Sequence, residues 1–267
     1  MGYSVISYSV MSYHSPMLSW GRQRKLLFFW WTGLFVLVVF GLYALVALYR
    51  APSCRNGERD GDERGVDCGG KCVRVCPADA QSLLVHFART FEITTGVWGA
   101  VASVENRNPE AGARTVPYVF KLYDAENLLL YERRGAVFVP PRKVFAVFES
   151  RMDTGSRTAS RATFAFLEEP MFERMTEPKL FIDTKGFTTH ERGSLLEAVI
   201  TNPARTPVEG IDATALLFAS DGNIIGASAS TIKKLGGEAS ATLSFTWPHA
   251  LETPARIEVL YTVPGTN

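Results

Sequence analysis

Residues 54 to 72 read "CRNGERDGDERGVDCGGKC", and they bring together the side chains best suited to chemistry: cysteines, carboxylates and glycines at short spacing. All four cysteines of the chain, Cys54, Cys68, Cys72 and Cys76, fall in or just after this stretch. Cysteines so confined suggest a stapled module in an oxidising compartment. A four-thiolate zinc site would be the alternative, but the spacing C-x13-C-x3-C-x3-C lacks the paired C-x2-C knuckles of such sites. Disulfides are therefore expected, with the pairing left open. The carboxylates suggest a hard cation. Asn56, Glu58, Asp60, Gly61 and Asp67 fall at positions 1, 3, 5, 6 and 12 of an EF-hand-like loop, and Asp62 could offer its backbone carbonyl at position 7. A calcium ion bound through Asn56, Asp60, Asp62 and Asp67 is the expectation. Asn for Asp at position 1, Asp for Glu at position 12 and the absence of flanking helical patterns all depart from that loop. The alternative is that the acids solvate a stapled hinge.

Elsewhere the chemistry is sparse. His86, His190 and His249 are far apart in sequence, and no HExxH, GxSxG or phosphate-loop pattern occurs. No enzymatic activity is expected. A formal net charge of +1 gives no electrostatic bias toward nucleic acid. "YERRGAVFVPPRK" places Arg133, Arg134, Arg142 and Lys143 beside Tyr131 and Phe138, a candidate surface for an anionic envelope polymer.

The elements that must carry these residues begin with a membrane anchor. Residues 26–49 are 24 residues without a charge, long enough as a helix to span a bilayer. Trp30, Trp31, Tyr43 and Tyr49 lie toward the ends, where amphipathic rings favour the interface. Arg22, Arg24 and Lys25 crowd the N-terminal flank against Arg50 alone on the other side, so the N-terminus should be cytoplasmic and the rest extracytoplasmic. "ALYRAPS" offers no clean signal-peptidase site and "APSC" is a poor lipobox, which favours an uncleaved signal anchor in the cell membrane. Residues 1–25, with the polar-aromatic "YSVISYSVMSYHSPM", read as a cytoplasmic flexible tail.

A cysteine-rich acidic segment, 51–78, follows the anchor. Beyond it, short β-rich runs divided by Gly, Pro, Asn and Asp favour antiparallel sandwiches over a βαβ architecture. "EEPMFERMTEPK" reads as a linker, placed at 171–178, between a first domain at 79–170 and a second at 179–267. The two halves repeat. "NPEAGARTVPYVFKLYDAENLLL" from Asn108 lies beside "NPARTPVEGIDATALLFASDGNIIG" from Asn202 at an offset of 94, which becomes 95 by the Leu122 and Leu217 pair. A period of this size implies two tandem sandwiches rather than a solenoid. Trp98 and Trp247 are expected in their cores.

"FKLYD", Phe120 to Asp124, followed by an aliphatic strand, a turn and an alternating strand, resembles the FxLYD-type immunoglobulin-like domains of bacterial envelope proteins over about Val97 to Ser150. The second copy keeps only the leucine and the aromatic, at Leu217 and Phe218. Residues 54–72 are similar to a cysteine cassette, C-x-[DN]-G-x3-G-D-E-x-x-V-D-C-G-G-x-C, of bacterial surface proteins. These resemblances imply membrane-tethered extracytoplasmic sandwiches without a catalytic centre. The expected fold class is thus mainly β: one transmembrane helix, a short disulfide-stapled segment and two tandem immunoglobulin-like sandwiches. The expected partners are the lipid bilayer and an envelope protein or anionic envelope polymer, in a binding, adhesion or envelope-assembly role. The rival is an envelope enzyme, or the regulatory subunit of one, with a site between the two β-domains.

Overall fold

A computed structural model describes residues 20–49 and 51–264. Most of the expected cytoplasmic tail, and Arg50 of the flanking charge count, lie outside the described residues. Helix α1, Trp20–Leu48, has no buried residue, and its apolar 18-residue stretch has a mean hydropathy of 2.3. At 29 residues it is about 43 Å long, enough to cross a membrane. It starts before the apolar run because the basic turn continues the helix, and the Arg24 guanidinium lies over the Trp20 ring at 4.0 Å, one turn away.

Beyond Pro52 the chain is a single compact unit and mainly β, as the turn pattern indicated. A short 3-10 turn at Pro77–Asp79 precedes β1 (Leu84–Thr94), β2 (Val97–Asn106), β3 (Ala111–Tyr123), β4 (Leu129–Val139), β5 (Lys143–Asp153), β6 (Arg161–Phe166) and the two-residue β7 (Glu173–Arg174). The second half supplies β8 (Phe181–His190), β9 (Gly193–Thr201), β10 (Val208–Phe218), β11 (Ile224–Leu235), β12 (Ser240–Trp247) and β13 (Arg256–Thr262). The sheets run β1-β2-β5 and β4-β3-β6 in the first half, and β8-β9-β12 and β11-β10-β13 in the second, all antiparallel. Strand for strand, the second set repeats the first.

The turn after "FKLYD" carries the repeat most clearly. Asp124 N–H donates to the Leu128 carbonyl and Asn127 N–H to that of Asp124, while Ala219 donates to Asn223 and Gly222 to Ala219. Asn127 and Gly222 both take positive φ, 62° and 81°, in the region that Gly and Asn tolerate best. Asp124 also accepts from the Glu126 and Leu128 amides through Oδ1 and pairs with Arg157 through Oδ2. Its counterpart Ala219 can do neither. In that copy Asp221 takes over the turn by accepting from Asn223, which explains how the motif could erode without losing the turn.

At the other end of the repeat the structure shifts the alignment. Asn106 donates its amide to the carbonyls of Ala111 and Pro140 and accepts from Asn108 N–H. Asn202 does the same with Thr206, Gly236 and Ala204. Asn106, not Asn108, is therefore the counterpart of Asn202, an offset of 96. The Asn-Pro dipeptides suggested otherwise because proline marks the loop, whereas the amide does the fastening. One extra residue between β2 and β3 in the first copy restores 95, and a bulge between Ala113 and Val116 returns the end of β4 and β5 to 96, while β6 matches β13 at 95. Both asparagines are almost wholly buried, at 1% and 0% exposure. Asn106→Ala should cost about 2 to 3 kcal/mol, since it orphans the buried Ala111 and Pro140 carbonyls, and Asn202→Ala about 1 kcal/mol, since Thr206 and Gly236 are exposed to water. Chemical denaturation measures this, and a loss under about 0.5 kcal/mol would refute the fastening role.

Each sandwich has its own core. Phe120, Leu122, Phe145, Met152 and Trp98 centre the first; Leu196, Ile200, Leu217, Phe245 and Trp247 centre the second. The two tryptophans occupy the same cross-strand site from opposite strands, as Trp98 faces Met152 and Trp247 faces Ser194. A third apolar layer joins the sandwiches. Phe91, Val101 and Phe148 on the outward face of the β1-β2-β5 sheet meet Leu216, Phe218 and Ile224 on the β11-β10-β13 side. Central strand β2, and β10 over Ala215 to Phe218, are consequently buried on both faces, and Phe87 meets Phe218 edge-on with centroids 6.4 Å apart.

Candidate functional site

The cassette is closed by two disulfides, Cys54–Cys72 and Cys68–Cys76, so all four cysteines are paired. A tight turn packs within this frame. Gly70 has φ +54° and a Cβ there would lie 1.8 Å from the Asp62 carbonyl oxygen, so only glycine fits. The cassette is also clamped to the first sandwich. Arg174 N–H donates to the Val73 carbonyl, Val75 N–H to that of Phe172, and the Arg174 guanidinium to that of Gly70. Asn108 holds the next stretch by exchanging hydrogen bonds with the Gln81 backbone. Residues first read as linker, 171–178, thus contain β7, which pairs with Ala111 and Gly112 of β3 and carries the clamp.

Within the cassette, the residues expected to hold calcium are brought together in part. Asn56 Nδ2 donates to Asp60 Oδ2 at 2.6 Å, and Asp60 Oδ1 accepts from Ser53 N–H. Asp67 accepts from the backbone amides of Asn56 at 2.9 Å and Gly57 at 3.0 Å. Asp62 turns away to Lys71 at 2.7 Å, and that ammonium holds its carboxyl below the usual range. Glu63, which sequence reasoning passed over, is buried and accepts from Asp67 N–H. Among the described residues, only Cys54, Glu63 and Cys72 cluster in the manner of metal ligands, and those two sulfurs are already joined to each other. The cassette carboxylates thus spend their oxygens on the loop backbone and on Lys71. Asp67→Ala should cost about 1 to 2 kcal/mol even in chelator, read as a fall in thermal midpoint. A variant as stable as wild type under chelation would show that Asp67 acts only through a cation.

No protein-family model matches this chain. No curated protein matches it either. Among solved structures, red sea bream transglutaminase aligns over 69% of this chain and 31% of its own length, at 12% identity and a TM-score of 0.22. That likeness is too slight to carry an argument about fold or activity, and the chain spans under a third of that protein.

The remaining candidates disperse. His86 Nε2 lies 3.2 Å from Glu105, His190 ends β8 beside a shallow surface depression, and His249 offers its carbonyl to Ser194. The basic-aromatic stretch also separates. Arg134 pairs with Glu132, Arg133 lies over the Tyr131 ring, and Phe138 lines the space between the sandwiches. That space, about 230 Å³, is lined by one carboxylate, Asp212, which accepts from Thr231, and by no histidine.

Lys143 is drawn into the joint between the sandwiches. Its ammonium binds Glu177 at 2.9 Å and sits 3.2 Å over the Tyr261 ring. Glu177 accepts from Val263 N–H at 2.9 Å, while the Tyr261 hydroxyl donates to the Leu180 carbonyl and accepts from its amide. Burial pushes the Glu177 carboxyl up and the Lys143 ammonium down, despite their mutual attraction. Sequence reasoning missed this knot because its members come from β5, the linker and β13, with no local pattern to link them.

Proposed function

We propose that the protein is a single-pass, N-in membrane protein whose extracytoplasmic part binds, adheres to or assembles with an envelope partner and has no catalytic activity of its own. Its two sandwiches are read as FxLYD-type immunoglobulin-like domains, and the segment before them as the surface-protein cysteine cassette. One observation carries the reading. The third apolar layer and the clamped cassette make residues 53–264 one stiff body, and such a body suits presenting a surface to another macromolecule. The basic N-terminal flank and the paired cysteines support the orientation. Calcium at the cassette, through Asn56, Asp60, Asp62 and Asp67, remains part of this proposal. Cross-linking on intact cells followed by pull-down should recover an envelope component bound to the sandwiches, and thiol labelling from outside after mild reduction should reach Cys54 to Cys76. Cysteines that react only after lysis would reverse the orientation. A hydrolytic or transfer activity lost on changing Asp212 would favour the enzyme alternative.

A further inference from the structure

The Lys143 knot has a counterpart in the first sandwich that no described residue closes over. β6 and β13 are equivalent strands: Tyr118 pairs with Phe166 where Ala213 pairs with Tyr261. Phe166 is therefore the counterpart of Tyr261, and Leu83, just before β1, that of Leu180, just before β8. In the second sandwich this aromatic-leucine floor is closed by the Lys143 ammonium over the ring and by Glu177 beside it. In the first, Phe166 and Leu83 floor an open groove of about 460 Å³. Leu167, 46% exposed, and Pro170 extend its apolar lining, and Glu168 and Glu169 stand on it. Neither glutamate has an ion pair among the described residues. Two unpaired carboxylates beside an aromatic ring make a site for a cation on an apolar stem. This is the arrangement that Lys143 completes at the other joint.

We propose that this groove docks a lysine-bearing apolar segment of a partner protein, the lysine stem lying on Phe166 and its ammonium between Glu168 and Glu169. The proposal rests on the binding role above and places one contact of it. The probe is a fluorescein-labelled pentapeptide of alternating valine and lysine with blocked ends, titrated against the full chain in detergent micelles and read by anisotropy. The same peptide with glutamate in place of lysine is the comparison. The lysine peptide should bind saturably, and weaken as salt is raised. The glutamate peptide, and the lysine peptide on a Glu168→Gln/Glu169→Gln variant, should bind at least about tenfold more weakly. Glu252→Gln, an exposed acid in the second sandwich, should leave the affinity unchanged. Both groove glutamates are exposed, so an unaltered thermal midpoint verifies that the double variant is folded. Absence of saturable lysine-peptide binding, equal binding of the glutamate peptide, or undiminished affinity in the double variant would each overturn the site. A cell-derived cross-link mapping to another face, together with any of these, would remove the groove and leave the binding role standing.

Discussion

Leu216→Asp is expected to split the unfolding of the two sandwiches into separate transitions and to remove at least about 4 kcal/mol of stability. Leu216 has 0% exposure and lies in the layer between the sandwiches, against residues that include Phe91 and Val101. Its neighbour Leu217, also at 0%, points the other way, into the core of the second sandwich. Successive residues of a strand face opposite sides, so the pair separates two kinds of burial by one position. A carboxylate at 216 must ionise in an apolar layer, hold its proton, or force the sheets apart. Leu217→Ala should cost a comparable about 3 to 4 kcal/mol through a cavity in one sandwich, without separating the two. Guanidinium unfolding of the full chain in micelles, followed by Trp98 and Trp247 fluorescence in single-tryptophan backgrounds, gives each sandwich its own signal. Coincident midpoints in Leu216→Asp would show that the layer does not couple them.

That layer was visible in the sequence only as an excess. "VWGAVASVEN" and "IDATALLFA" have too few polar residues for strands with one face in water, and strands buried on both faces read as near-continuous apolar runs. The runs indicated strands without saying what covers their second face. The N-terminal apolar helix was plainer, because a long uncharged run with apolar residues on every side leaves no amphipathic alternative. Turn chemistry placed the strands well. "AENL" and "SDGN" supply a residue fit for positive φ at the same point, whereas the Asn-Pro anchor misplaced the start of the repeat by two residues. Cysteine confinement pointed to disulfides, but their connectivity depends on how Gly65, Gly69 and Gly70 fold the loop, and spacing alone does not encode that. The EF-hand-like spacing of Asn56, Asp60, Asp62 and Asp67 specified oxygen positions along the chain. It could not show that Lys71 would claim Asp62 or that backbone amides would claim Asp67, because those competitors enter through the disulfide-closed turn.

Breaking the Lys143–Glu177 pair from one side is expected to cost about 3 kcal/mol, whereas replacing both partners with methionine should cost nothing or stabilise the protein. The side chains are 19% and 9% exposed, so both charges are largely out of water. Burial dominates both titrations, raising Glu177 and lowering Lys143, which means that desolvation outweighs the attraction at this joint. Lys143→Met leaves Glu177 buried with only the Val263 amide, and Glu177→Met leaves an ammonium over Tyr261 alone. The pH dependence follows from the same shifts. A carboxyl that holds its proton more tightly when folded contributes most below its unfolded value, 4.5, and loses that contribution as pH rises through the raised folded value. Lys143 contributes in the opposite sense at alkaline pH, gaining as pH rises through its lowered folded value toward 10.5. Of the titratable groups, Lys143 and Tyr261 face Glu177, and Tyr261 is itself raised by burial, so neither adds a second acid-range step. A double-mutant cycle at neutral pH, repeated across the acid range, reads both effects. Glu177→Gln should abolish the Glu177 contribution that wild type loses as pH rises from about 4.5, and a Met/Met protein less stable than either single variant would mean that the ion pair, rather than the apolar layer, holds the joint.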